Sequence, residues 1–265
     1  MKTAIIFLTS LFMVTALNAQ PHKKRPLSGR PPDMVYVPAG LYRPFMQQGD
    51  KSGRVQLQAF YMDDHAVTNQ EFLAFIKANP KWAKSKIPGL LADQNYLEQW
   101  SGDYQIGNPA ICNSPVTNVC WYAAAAYAKW RGKSLPTLDQ WEYALSFPPV
   151  GLPKNRSVTR YILDWYSNPT PEHLAAVKTG YQNDLGIYDL VGSIWEWVDD
   201  FNSVVESGDS RSQGSLEKSL FCAAGSQSAI DKSDYASFMR FAFRNSLKAK
   251  YTVRNLGFRC VKNIN

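Results

Sequence analysis

The residues able to do chemistry in this chain are few and scattered. The three histidines, His22, His65 and His173, are too far apart in sequence to form a clustered metal motif. His65 follows Asp63 and Asp64 and is read as a surface or strand-end histidine with an acidic flank. Four cysteines, Cys112, Cys120, Cys222 and Cys260, match no zinc spacing. In an exported chain they are compatible with two disulfides, for which three connectivities exist, and equally with thiols buried as small hydrophobes. Gly192-Ser193-Ile194 lacks the spacing of a nucleophile elbow, and no phosphate-binding or dinucleotide-binding glycine motif occurs. Asp199 and Asp200 read as a solvated acidic turn rather than a catalytic pair.

The stretch from Asn183 to Trp197, NDLGIYDLVGSIWEW, gathers polar, glycine and aromatic residues in a short space. Gly186 and Gly192 punctuate apolar residues that demand burial, so the stretch is expected to be a tightly turned loop feeding a strand. In that strand Trp195 and Trp197 share one face and Glu196 takes the other. A carboxylate beside two large rings must find donors, either backbone amides or an arginine. Asn183, Asp184 and Asp189 are residue types that close turns through their own side chains.

The elements that must position these residues follow from periodicity. Met34 to Val37 alternates like a strand ending in a turn at Gly40, and Val55 to Met62 alternates like a second strand. Thr68 and Glu71 form a capping box for a helix whose buried stripe is Phe72, Phe75 and Ile76, stopped by Asn79-Pro80. Residues 80–115 show no period and read as a long structured loop. An alanine-rich helix runs from Trp121 to Arg131 and ends at Gly132. Thr137 and Gln140 form a second capping box, with Trp141, Ala144 and Leu145 facing inward. From Ser146 to Gln182 only Thr170 to Val177 suggests a short helix. Residues 202–219 read as an exposed loop, and Leu220 to Gly225 and Leu256 to Val261 read as strands with Arg-rich and aromatic material between them.

Hydrophobic content of 45% with 13% aromatics, including eight Trp, describes a folded globular chain. Residues 1–19 carry Lys2, an apolar run from Ala4 to Leu17 and a small-residue end, the pattern of a cleaved signal peptide. The run is shorter than the roughly 20 residues needed to span a bilayer, so no transmembrane segment is expected after cleavage. The formal charge of +7 is mostly local: Lys2, Lys23, Lys24, Arg25 and Arg30 all precede Asp33, and removing these five leaves +2 for residues 33–265. A nearly neutral body removes the main support for nucleic-acid binding.

Five ordered blocks resemble the formylglycine-generating enzyme family, the sulfatase-modifying factors. MVYVPAG from Met34 resembles the family's opening, and FYMDDHAVTNQEF from Phe60 its first helix entry. PVTNVCWYAAAAYAKWRGKSLPTLDQWEYA from Pro115 resembles its central helices, NDLGIYDLVGSIWEW resembles N-x-x-G-x-x-D-x-x-G-N-x-W-E-W, and NLGFRC from Asn255 resembles its closing strand. The resemblance implies an α+β, loop-rich fold, the formylglycine-generating-enzyme-type variant of the C-type-lectin fold. The organisation is then a signal peptide over 1–19, a basic linker over 20–32 and one sulfatase-modifying-factor-like domain over 33–265.

The resemblance also implies sites. The family's oxidases bind copper through two cysteines, five apart, in the interval that here runs from Ser226 to Asn255 and contains no cysteine. The corresponding positions fall near Asp231 and Ala236, neither of them a soft ligand, so copper is not expected. Family members with a disulfide from the alanine-rich helix to the closing strand place its first cysteine where Ala128 stands, so Cys260 pairs elsewhere or stays free. Calcium is implied at Asn183, Asp184 and Asp189, with Ser193 in place of an asparagine. A cleft is implied near Ser226, with Tyr235, Phe238, Arg240 and Arg244 lining or supporting it, for a peptide or glycan. Arg240 and Arg244 serve equally as anchors for a buried carboxylate such as Glu196. The expectation is a non-catalytic binding or structural module of the cell envelope, periplasmic or extracellular, like gliding-motility and secretion relatives. The alternative is an oxidase acting on a sulfatase cysteine, or a relative using another metal.

Overall fold

The computed structural model describes residues 31–45, 53–152, 157–202 and 235–264. The expected signal peptide, most of the basic linker, Cys222, Ser226, Asp231 and the strand at Leu220 to Gly225 lie outside them. Strand β1 (Met34–Val37) pairs antiparallel with β4 (Phe60–Asp63), which pairs on its other side with β9 (Val261–Asn263). β2 (Gly40–Tyr42) and β3 (Val55–Leu57) form a separate two-stranded ladder. The expected single strand from Val55 to Met62 is therefore two strands. Pro38 follows β1 without an N–H to donate, so the ladder breaks there and again opposite, between Leu57 and Phe60, where the chain changes partner. The closing strand divides likewise into β8 (Leu256–Gly257) and β9.

Helix α1 (Asn69–Ala78) begins with the expected capping box: Thr68 accepts the Glu71 amide while Glu71 accepts the Thr68 amide. Helix α2 (Trp121–Trp130) ends at Arg131 and Gly132, the glycine at φ +66. Helix α3 (Leu138–Leu145) has the second box through Thr137 and Gln140 and buries Trp141, Ala144 and Leu145. Phe72, Phe75 and Tyr127 from α1 and α2 pack with Phe258 at ring separations of 5.3–6.1 Å, tying the two helices to the closing segment. Residues 80–115 are irregular, as expected, and are held by the buried Asn69, whose amide donates to the Ile111 carbonyl while its oxygen accepts Trp100 Nε1 at 2.8 Å.

A short ladder of β5 (Pro149–Val150) with β6 (Gln182–Asn183) brackets helix α4 (Val158–Ser167), which periodicity missed. The segment Thr170 to Val177, expected to be helical, is bends and turn. Strand β7 (Trp195–Glu196) pairs in parallel with β8. Between them in sequence comes α5 (Tyr235–Ser246), another helix that went unseen because its arginines break the apolar stripe. α4 and α5 meet around Trp195, which stacks on Tyr166 at 5.0 Å and on Phe243 at 4.3 Å.

Candidate functional site

The polar centre of the domain is Glu196. Its alternation out of β7 aims the carboxylate away from Trp195 and into a wholly buried position against Arg259, both side chains being 0% exposed. Arg259 Nε donates to Glu196 Oε2 at 2.8 Å and Nη2 to Oε1 at 2.8 Å, a bidentate fork, and Trp141 Nε1 donates to Oε2 at 2.7 Å. The remaining guanidinium donors reach the Asp63 and Tyr188 carbonyls, at 3.3 and 2.9 Å. Burial pulls the Arg259 pKa down, but the Glu196 charge and hydrogen bonds together with the Asp189 and Asp63 charges push it up. The expected arginine partner is thus Arg259, from the closing strand, and neither Arg240 nor Arg244. Trp195 and Trp197 part company beyond Glu196, where β7 ends. Trp195 is half-buried in the α4–α5 stack, whereas Trp197 is fully buried and donates to the Val119 carbonyl.

Arg240 and Arg244 sit one turn apart on α5 and point inward, 4% and 3% exposed. Both hold Glu142 of α3: Arg240 Nε and Nη2 at 2.8 and 2.7 Å, Arg244 Nη1 at 2.8 Å. Burial pushes the Glu142 carboxyl up, but the two arginines bring it down to about 2. These arginines support the helix rather than line a surface. Tyr235 is 52% exposed, and its ring stacks on the half-buried Phe238, which in turn lies against Phe45.

His65 is not a surface residue: its side chain is 11% exposed, with Nδ1 hydrogen-bonded to Asp64 Oδ1 and Nε2 3.6 Å from Glu71. Lys178 closes on Asp64 at 2.9 Å and Lys133 on Asp63 at 2.5 Å. Burial pulls the imidazole down, but the hydrogen bonds and charges of Asp64 and Glu71 push it up to about 9. Burial likewise raises Glu71, and its bonds to His65 and Thr68 bring it down to about 2.

The donors proposed for calcium are spent on the backbone. Asn183 donates to the Ala144 carbonyl and accepts the Ile187 amide, and the two Asp189 oxygens accept the Lys178 and Gly180 amides at 2.7 and 3.0 Å. A cation there would have to displace amide hydrogens, and Asp184 is exposed, so these residues close turns and do not fit calcium. Copper fares no better: Ala236, near which one family cysteine falls, is buried and apolar on α5. Cys112, Cys120 and Cys260 are free thiols, so of the two alternatives the packed thiol holds for these three cysteines. Burial pushes Cys120 up to about 11 and Cys260 well above the ordinary thiol, so neither is poised as a thiolate. Asp199 and Asp200 lie in a turn, Asp199 exposed and Asp200 half-buried with Oδ1 accepting the Leu138 amide at the start of α3. Among the described residues no helix is long and apolar enough to cross a membrane.

Sequence reasoning missed Arg259 and Glu142 as anchors. Arg259 stands inside the quoted NLGFRC block and Glu142 inside DQWEYA, and a buried Glu in each WEW and WEY context required a cationic partner.

An α+β domain, rich in loops and pinned through its middle by buried arginine–carboxylate pairs, defines the class. The chain belongs to the sulfatase-modifying factor enzyme 1-like domain family, whose pattern it matches over residues 19–264. It is 28% identical to the formylglycine-generating enzyme of Streptomyces coelicolor over 78% of this chain and 79% of that protein. It is 25% identical to the inactive C-alpha-formylglycine-generating enzyme 2 of Bos taurus, over 64% of this chain and 71% of the relative. The serine/threonine-protein kinase Pkn1 of Chlamydia trachomatis is 27% identical over 64% of this chain, which spans only 28% of the kinase's length.

Proposed function

We propose that this protein is an exported, non-catalytic member of its family that serves as a binding or structural module of the cell envelope. One observation carries the reading: where a copper(I) site needs soft thiolates, the chain has no cysteine between Ser226 and Asn255, and Ala236, near which one of the two positions falls, is a buried methyl group. Cys120 and Cys260 lie in the core and are held protonated. The inactive bovine relative is a precedent within the family for a member named as inactive. The partner is an envelope protein, peptide or glycan, met at the aromatic surface of Tyr235 and Phe238, whose rings present apolar faces beside polar edges.

The test is metal analysis of the purified mature protein together with oxygen consumption on a cysteine-containing sulfatase peptide. The expected result is no stoichiometric copper and no turnover, with saturable binding to an envelope component that weakens in Tyr235→Ala. Stoichiometric copper with turnover would establish the oxidase alternative instead.

A further inference from the structure

Four lysines, Lys77, Lys81, Lys84 and Lys86, stand between Glu71 and Asp93 with no acid among them. The chain from Asp103 to Asp139 is likewise free of acids between its ends and carries Lys129, Arg131 and Lys133. The fold brings these two stretches together. Phe75 of α1 packs at 5.7 Å against Trp130, the last residue of α2, and at 6.4 Å against Trp82, in the short 3-10 turn Pro80–Trp82 that follows α1. Lys81 Nζ stands 5.9 Å from the centre of the Trp82 ring, and the Arg131 guanidinium 5.9 Å from that of Trp130. Each tryptophan thus has a cation beside it.

The surrounding acids do not cancel these charges. Among the described residues no carboxylate lies within ion-pair distance of Lys77, Lys81, Lys129 or Arg131. Glu71 is engaged by the Thr68 amide and His65, and Lys133 is held by Asp63. Asp103 accepts the Ser85 amide and hydroxyl, and Glu98 meets Lys84 only through its backbone carbonyl. If Asp103 and Glu98 each offset one lysine, and the C-terminal ends of α1 and α2 contribute about half a negative charge apiece, the face remains positive. It is also apolar in places. Trp130 is 40% exposed, and Leu90, at 85%, is the most exposed large apolar side chain among the described residues. Leu90 sits on a tight turn in which the Leu91 and Ala92 amides both close on the Pro88 carbonyl.

We propose that this face, Trp82 and Trp130 with Lys81, Arg131 and the Leu90 turn, docks on the surface of an anionic bilayer. The cations would lie among phosphate-bearing headgroups and the apolar side chains at the acyl boundary. A soluble polyanion would meet the cations but leave Leu90 in water. Protein interfaces are depleted in lysine, which dominates here. A bilayer surface takes tryptophan, basic side chains and an apolar tip together. The face is built from α1, α2 and the segment after α1, none of which carries Tyr235 or Phe238, and it acts on whichever side of a membrane the chain resides. It therefore stands apart from the binding surface proposed above.

The probe is a sedimentation assay of the full mature protein with vesicles of phosphatidylcholine alone and of equal parts phosphatidylcholine and phosphatidylglycerol. Binding is expected on the anionic vesicles and not on the neutral ones, weakening as added salt shortens the screening length. Lys81→Gln and Arg131→Gln should each weaken it about fivefold and flatten its salt dependence. Leu90→Ser should weaken it about tenfold or more while keeping the salt dependence of the unaltered chain. All three side chains are exposed, so the melting temperature should not move. Tyr235→Ala should bind vesicles like the unaltered chain, which separates this face from the other surface. The proposal is overturned if all three variants bind like the unaltered chain, which would assign the binding to the basic stretch before Asp33. It is equally overturned if neutral vesicles bind as well as anionic ones, if Leu90→Ser has no effect, or if soluble polygalacturonate binds and vesicles do not.

Discussion

At the scale of residues, the domain depends on where its carboxylates are buried. Glu196 and Arg259 have no access to water, so removing one charge leaves the other uncompensated in the core. Glu196→Gln is expected to cost about 3–5 kcal/mol, measured as a drop in the urea midpoint at unchanged slope. Arg160 and Asp164 make the contrasting pair, on an exposed helix face with Arg160 74% exposed, and Arg160→Ala should change stability by no more than about 0.5 kcal/mol. His65 supplies a pH dependence. Its folded pKa, about 9, exceeds the ordinary 6.5, so the folded state holds a proton that the unfolded chain releases first. Its stabilisation is complete below 6.5 and disappears as pH rises through 9. Denaturation followed across that window should show the loss in the unaltered protein and a flatter profile in His65→Gln. On the acid side Glu71 and Glu142 act in the opposite sense, holding their contribution above 4.5 and losing it as pH falls through 2.

At the scale of elements, the two helices with capping boxes were legible because their signals are local. Thr68-x-x-Glu71 and Thr137-x-x-Gln140 satisfy amides within one turn, whatever lies across the core. α4 and α5 were not legible. α4 buries only Ile162 outright, and α5 reverses the usual placement of charge, burying its two arginines beside Ala236 and Phe241 while Tyr235 is exposed. That reversal is possible only because Glu142 waits on α3. The β7–β8 pairing adds a steric condition. A Cβ on Gly257 would stand 2.3 Å from the Val116 carbonyl oxygen and 2.7 Å from Ile194 Cδ1, so a backbone must yield. Gly257→Ala is expected to destabilise by about 1–3 kcal/mol, read as a lowered melting temperature, whereas an alanine at the open Gly89 should not.

At the scale of the whole molecule, the fold is held by contacts between distant segments rather than by long regular elements. Asp63 alone joins Lys133 and the Cys260 amide, and Arg259 links the closing strand to Glu196 and to the Tyr188 carbonyl. The Asn183 and Asp189 oxygens that a calcium ion would need already accept backbone amides. The melting temperature should therefore be unchanged by a calcium chelator, and a fall that added calcium restores would show that Asn183 and Asp189 ligate an ion after all. The amino-acid sequence by itself determined the family, the two capped helices, the near-neutral body and the absence of a cysteine pair, because these are properties of residue identity and near spacing. Only the tertiary structure decided which arginine meets which carboxylate. Glu142 and Arg240 lie 98 residues apart and Glu196 and Arg259 lie 63 apart, and a pairing at such separations is set by how the chain closes on itself, not by any local preference.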